Sequence, residues 1–152
     1  MGFYEFFTNK VLIASLIAWT LAQVIKVFFE IVKNRRLDLS KLVSSGGMPS
    51  SHSAIVSALA AAIGLTEGPG STAFAVSLIL AFIVLYDSAG VRQSVGKQAV
   101  VLNRMIREVR ERRPIAEMEE DLKELIGHTA FEVFAGMALG IGVAFVWICA
   151  LT

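Results

Sequence analysis

The chain holds two histidines, His52 and His128, and each sits among polar residues that could handle a phosphate ester. His52 lies in the run Ser44-Ser45-Gly46-Gly47-Met48-Pro49-Ser50-Ser51-His52-Ser53, where glycines and serines end at a proline and an apolar stretch follows at once. Unsatisfied backbone N–H groups at a helix start attract anions. Gly47, Ser50 and Ser51 therefore compose a phosphate cradle. His52, in the first turn, is placed to protonate a leaving ester oxygen. An ordinary serine-capped helix start has the same composition, so this segment alone leaves both readings open.

His128 and Glu132 are four residues apart, on one face of a helix. A carboxylate there can accept from one imidazole nitrogen and leave the other free to attack, the arrangement of a nucleophile oriented by a third group. A His-Glu pair that only satisfies itself is the structural alternative. Zinc is not expected, because the chain has two histidines and the helix offers no second histidine at ligand spacing. No other metal or cofactor is called for. Cations come from the segment Tyr86 to Lys97: Arg92 offers a planar fork for two phosphate oxygens, Lys97 a point charge, and Asp87 a partner to hold Arg92. Snorkelling to headgroups explains each cation equally well, and it is the expected role of Lys26, which has Glu30 one turn on.

These residues must be positioned by apolar elements, since 55% of the 152 residues are hydrophobic and only 18% charged, far from a soluble balance. Four stretches stand out: Val11 to Phe29, Ala54 to Leu65, Ala73 to Tyr86 and Thr129 to Leu151. The first and last are long enough to cross a core of ~30 Å. The middle two are short and joined by Thr66 to Ser71, as in a helical hairpin. The first stretch lacks a small-residue cleavage site and is expected to stay attached. Cys149 is the single cysteine, so no intrachain disulfide forms.

Of the fourteen Lys and Arg residues, twelve lie between Lys33 and Met48 or between Val91 and Ile126. Both connections are then cytoplasmic by the positive-inside rule. The cradle, the Asp87 to Lys97 segment and His128 all fall at that same side. Within the second connection, Val101, Leu102, Met105, Ile106 and Val109 line one face of a helix from about Lys97 to Arg112, opposite Arg104, Arg107 and Arg110. Pro114 starts another, whose acidic run Glu117 to Glu124 reads as a solvated face. Gly136, Gly140 and Gly142 are expected to allow close helix packing. The expected architecture is an all-α integral membrane bundle, one domain over residues 1–152, with four membrane helices plus two cytoplasmic or interfacial amphipathic helices.

With these motifs the chain resembles the type 2 phosphatidic acid phosphatase and vanadium haloperoxidase superfamily, specifically its small divergent bacterial and plant branch, over nearly its whole length. Pro49, Ser50 and His52 match the P-S-x-H motif of a phosphate-binding serine and an acid histidine. His128, Glu132, Val133 and Gly136 match the H-x3-D motif, with Glu in place of Asp. The resemblance implies a phosphohistidine at His128 and leaving-group protonation by His52. The K-x6-R-P motif is broken, since Lys33 and Asn34 stand where Arg-Pro would follow Lys26, and the Ser-Arg pair falls at Asp121 and Leu122. Arg92 and Lys97 are expected to take over those cationic roles.

The expected function is a metal-independent phosphatase of a bacterial plasma membrane, with its site on the cytoplasmic side. Its substrate would be phosphatidylglycerophosphate, phosphatidic acid or a prenyl diphosphate. The partners expected are the bilayer and this lipid, not nucleic acid, and a homo-oligomer stays open. A non-catalytic anionic-lipid-binding protein and a transporter with charges along its pathway are the rival readings.

Overall fold

The computed structural model describes residues 7–34, 47–89, 98, 100–103, 105–106 and 129–150. Four helices carry the fold: α1 (Lys10–Asn34), α2 (Ser51–Glu67), α3 (Thr72–Ala89) and α4 (Ala130–Ala150). No strand occurs among the described residues. A polar side chain just outside each helix start accepts from its free backbone N–H groups. Asn9 Oδ1 takes the amides of Val11 and Leu12 at 3.0 Å. Ser50 Oγ takes that of Ser53 at 3.3 Å, Ser71 Oγ that of Phe74 at 3.1 Å, and Thr129 Oγ1 that of Glu132 at 3.3 Å. Gly68, at φ +85°, ends α2 in a conformation that side chains disfavour and turns the chain into α3.

The interior is built from small residues and the surface from large apolar ones. Ala14, Ala18 and Ala22 of α1, Ala54, Ala58 and Ala62 of α2, and Ala144 and Ile148 of α4 form the core. Outside lie Trp19, Phe28, Ile79, Phe82, Phe134, Phe145 and Val146, all exposed. Water does not tolerate such a surface over a whole molecule, whereas lipid does, and close backbone approach through small residues is how helices associate there. Lys10–Phe29 and Ala130–Ala150 are long and apolar enough to cross a membrane, with only 33% and 28% of their residues buried. A core helix of a water-soluble protein would be mostly buried.

Inward-facing positions recur every fourth residue in α1, α2 and α4, the ridge spacing that lets helices interdigitate. Gly136 lies against Ser50 and Ser53, and Gly140 against Ala54 and Ala58, so α4 runs parallel to α2 in backbone contact. A Cβ at either glycine would strike a carbonyl oxygen of α2. Gly142 meets nothing within 4 Å, so the expected packing role holds for two of the three glycines. In contrast, α3 leans on α2 and hardly touches α4. The C-terminal ends of α1 and α3 and the starts of α2 and α4 share one end of the bundle.

All four apolar stretches are helices. The second begins at Ser51, so His52 lies in its first turn as expected, and Ser51, Ser53 and Ser57 are buried. Residues 98, 100–103, 105 and 106 are helical, as expected for the first amphipathic helix. Val101, Leu102 and Met105 point outward, while Asn103 is 1% exposed, a buried position that the apolar periodicity did not indicate. The second amphipathic helix, from Pro114, lies outside the described residues.

Candidate functional site

The site end of the bundle is where the period-four stripes run out of alanine and glycine. The stripe Ala14-Ala18-Ala22 of α1 continues to Lys26, that of α2 begins at Ser50, and that of α4 begins at Glu132. Three polar residues thus inherit inward directions from the packing of three helices.

Lys26 is 4% exposed, not a lysine reaching out to headgroups, which corrects the expected snorkelling. Its Nζ donates to Ser51 Oγ at 3.5 Å, and the Glu132 carboxylate attracts it electrostatically. Its stem lies along Gly47, whose backbone sits at φ +98° and where an added Cβ would come within 3.0 Å of Lys26 Cγ. Gly47 is needed twice there, for its dihedral and for the room it leaves. A buried cation in an apolar bundle requires counter-charge or an anionic ligand, and Glu132 supplies part of it.

Ser50 is fully buried. Its backbone N–H donates to the Glu132 carbonyl oxygen at 3.0 Å, tying the start of α2 to the start of α4. Its hydroxyl caps α2 and receives the Ser53 hydroxyl at 2.9 Å. Ser51, one residue on, turns toward α1 and Lys26 and is 3% exposed. His52 comes next and is exposed. The order cap, cation contact, exposed imidazole follows from the ~100° step between successive helical residues.

Glu132 and Thr129 form a reciprocal capping box: Thr129 N donates to Glu132 Oε2 at 3.3 Å while Glu132 N donates to Thr129 Oγ1 at 3.3 Å. The carboxylate also lies in the first turn of α4, where the helix dipole favours negative charge. Its role in the fold is therefore partly accounted for by α4 itself. Asp87 is half-buried at the end of α3, beside the buried Ser88. His128, Arg92 and Lys97 lie outside the described residues, so the expected His128-Glu132 pair and the two cations are not among the contacts described.

The structure thus brings together Lys26, Gly47, Ser50, Ser51 and Glu132, with His52 at the edge. Two parallel helix starts, two serine hydroxyls and a buried ammonium are groups of the kind that attract an anion. The sequence reading passed over Ser53, which completes the Ser50 cap, and the inward direction of Lys26. The second was available in the spacing: Lys26 is the next member of the Ala14, Ala18, Ala22 series.

Comparison with known proteins identifies the family of the chain. The family model described as "Divergent PAP2 family" matches residues 7–143. The chain is 45% identical over 146 residues to a protein of Bacillus subtilis (strain 168) named "Uncharacterized membrane protein YuiD", an alignment that covers 90% of this chain and 92% of the relative. No solved structure matches the chain.

Proposed function

Because this chain belongs to the divergent PAP2 family and is a membrane protein, we propose that it is a metal-independent lipid phosphate phosphatase acting through a phosphohistidine. The observation that carries the reading is the buried Lys26 ammonium beside Ser51, at the joined starts of α2 and α4. An ammonium sequestered there is suited to hold phosphate oxygens in place and to offset charge that develops during transfer.

In this reading all four helices cross the bilayer, and the site opens to the cytoplasm, where the two Lys- and Arg-rich connections lie. An imidazole nitrogen of His128 attacks phosphorus, oriented by Glu132, while Lys26, Ser51 and the positive end of the α2 dipole hold the phosphate oxygens, with Arg92 and Lys97 adding charge and Asp87 holding Arg92. The phosphorus-oxygen bond to the lipid breaks, and His52 gives its proton to the departing oxygen, which leaves as the lipid alcohol. His52, now neutral, takes a proton from water as that water attacks the phosphohistidine. Inorganic phosphate leaves and His128 is restored. Metal independence rests on the donor set, two histidines at no ligand spacing.

Phosphate release from vesicles of purified protein with phosphatidic acid, phosphatidylglycerophosphate or a prenyl diphosphate, with and without chelator, tests the proposal. Release that survives chelation and is blocked by vanadate is expected. The Glu132 capping box favours one other reading, a lipid-binding protein in which the carboxylate is purely structural. Saturable binding of these lipids with no phosphate released would select that reading.

A further inference from the structure

A cavity of about 580 Å³ lies between α2, α3 and α4, where α3 leans away from α4. Ala60 and Ala61 form its floor, Phe82 and Leu85 one wall, and Met137 and Ile141 the other. At its far end the Phe74 ring is packed on Gly64, where an added Cβ would come within 2.9 Å of the ring. From Phe74 to Leu85 is eleven residues, or ~16 Å of helix, about half the hydrocarbon core and so the depth of one leaflet.

The cavity starts about one helical turn from the anion site and shares no lining residue with it. Gly136 touches Ser50 and Ser53, and the next residue, Met137, is cavity wall. On α2, Ser53 belongs to the cap, and Ser57, one turn deeper, is in the cavity lining. Four residues of helix place Ser57 ~6 Å below Ser53.

Ser57 is the one polar residue in that lining. Its Oγ is buried and has no hydrogen-bond partner among the described residues. Other serines in these helices behave differently: Ser15 and Ser77 return their hydroxyls to carbonyls of their own helices at 2.9 Å. A hydroxyl left unpaired in an apolar wall is costly, so an acceptor on the occupant accounts for it. A prenyl tail has no acceptor to offer. An acyl ester has an acceptor followed directly by an aliphatic chain.

We infer that this cavity holds an ester-linked acyl chain of a glycerolipid phosphate, with Ser57 Oγ donating to the ester carbonyl one turn below the phosphate. The inference rests on the reading of the Lys26-Ser51 end as a lipid phosphate site, and it narrows the substrate class to acyl glycerolipids. The chain enters sideways from the bilayer, past the exposed Phe82 and Ile141.

Photo-crosslinking in vesicles tests this whether or not hydrolysis occurs. The probe is phosphatidic acid with a diazirine in one acyl chain, and the label is mapped by mass spectrometry in the wild type, Ala61→Phe and Ser57→Ala. Label concentrated on Phe82, Leu85, Met137 and Ile141 is expected, with at least a fivefold loss in Ala61→Phe. Ser57→Ala, which leaves the volume almost unchanged, should weaken labelling by the ester lipid about fivefold, the scale of one hydrogen bond, and leave an ether-linked analogue unaffected. Label spread over outward residues such as Ile83 and Phe145 and indifferent to both substitutions would overturn the inference. Competition separates the two claims: if diacylglycerol displaces the probe as well as phosphatidic acid does, the acyl site stands and the phosphate reading falls.

Discussion

Helix α4 meets its neighbours in two opposite ways. Toward α2 it presents Gly136 and Gly140, and the two backbones touch. One residue further round, Met137 and Ile141 face α3 across an open cavity. The closed seam fixes Ser50 and Glu132 relative to one another through a single 3.0 Å backbone hydrogen bond. The open cleft fixes nothing and leaves room. A bundle in lipid gains no hydrophobic drive from closing such a cleft, so small residues are needed only where positions must be held.

The sharpest way to break that contrast is to put volume into the seam. Gly140→Leu should drive its side chain into the Ala54 carbonyl, cost ~3 kcal/mol or more as overpacking against backbone, and lower the thermal midpoint in detergent by many degrees. Ala61→Phe, of similar volume change but in the cleft, should leave the midpoint nearly unmoved. Equal losses in both would mean the cleft is packed as tightly as the seam.

Next in size is Lys26→Met, which keeps the stem along Gly47 and removes the charge. A charge-assisted contact to phosphate is worth ~1.5–3 kcal/mol, so phosphate release should fall ~10- to 150-fold while the folded fraction is retained. Unchanged turnover would return Lys26 to a packing role. Ser51→Ala should cost about tenfold by the same measurement. The smallest effect is expected at Gly142→Ala, which faces open space and should shift stability by no more than ~1 kcal/mol, in the stabilising direction helix propensity gives.

Hydrophobic runs and capping residues made the four helices legible, because an apolar run of a dozen residues or more in this setting has few other outcomes. The serine-rich start of α2 was legible too, through Pro49 and Ser50. What composition hid was direction. Lys26 read as an end-of-helix cation until its place in the alanine stripe turned it inward. Asn103 falls on the arginine side of its helix by periodicity but is buried in the structure. Gly142 looks like Gly136 and Gly140 in the sequence, and only the four-residue spacing of the latter pair marks the seam. The cavity was not legible, as its lining comes from three helices whose mutual lean no local pattern encodes.

Passage of phosphate through His128 can be tested by trapping the intermediate. Purified protein in vesicles is mixed with radioactive-phosphate phosphatidic acid, quenched with base, and the label mapped by peptide sequencing. A base-stable, acid-labile label is expected on His128, one that disappears in His128→Ala and persists in His52→Ala when the substrate has a leaving group that needs no proton. Phosphate released at the normal rate by His128→Ala, or label on any other residue, would contradict it.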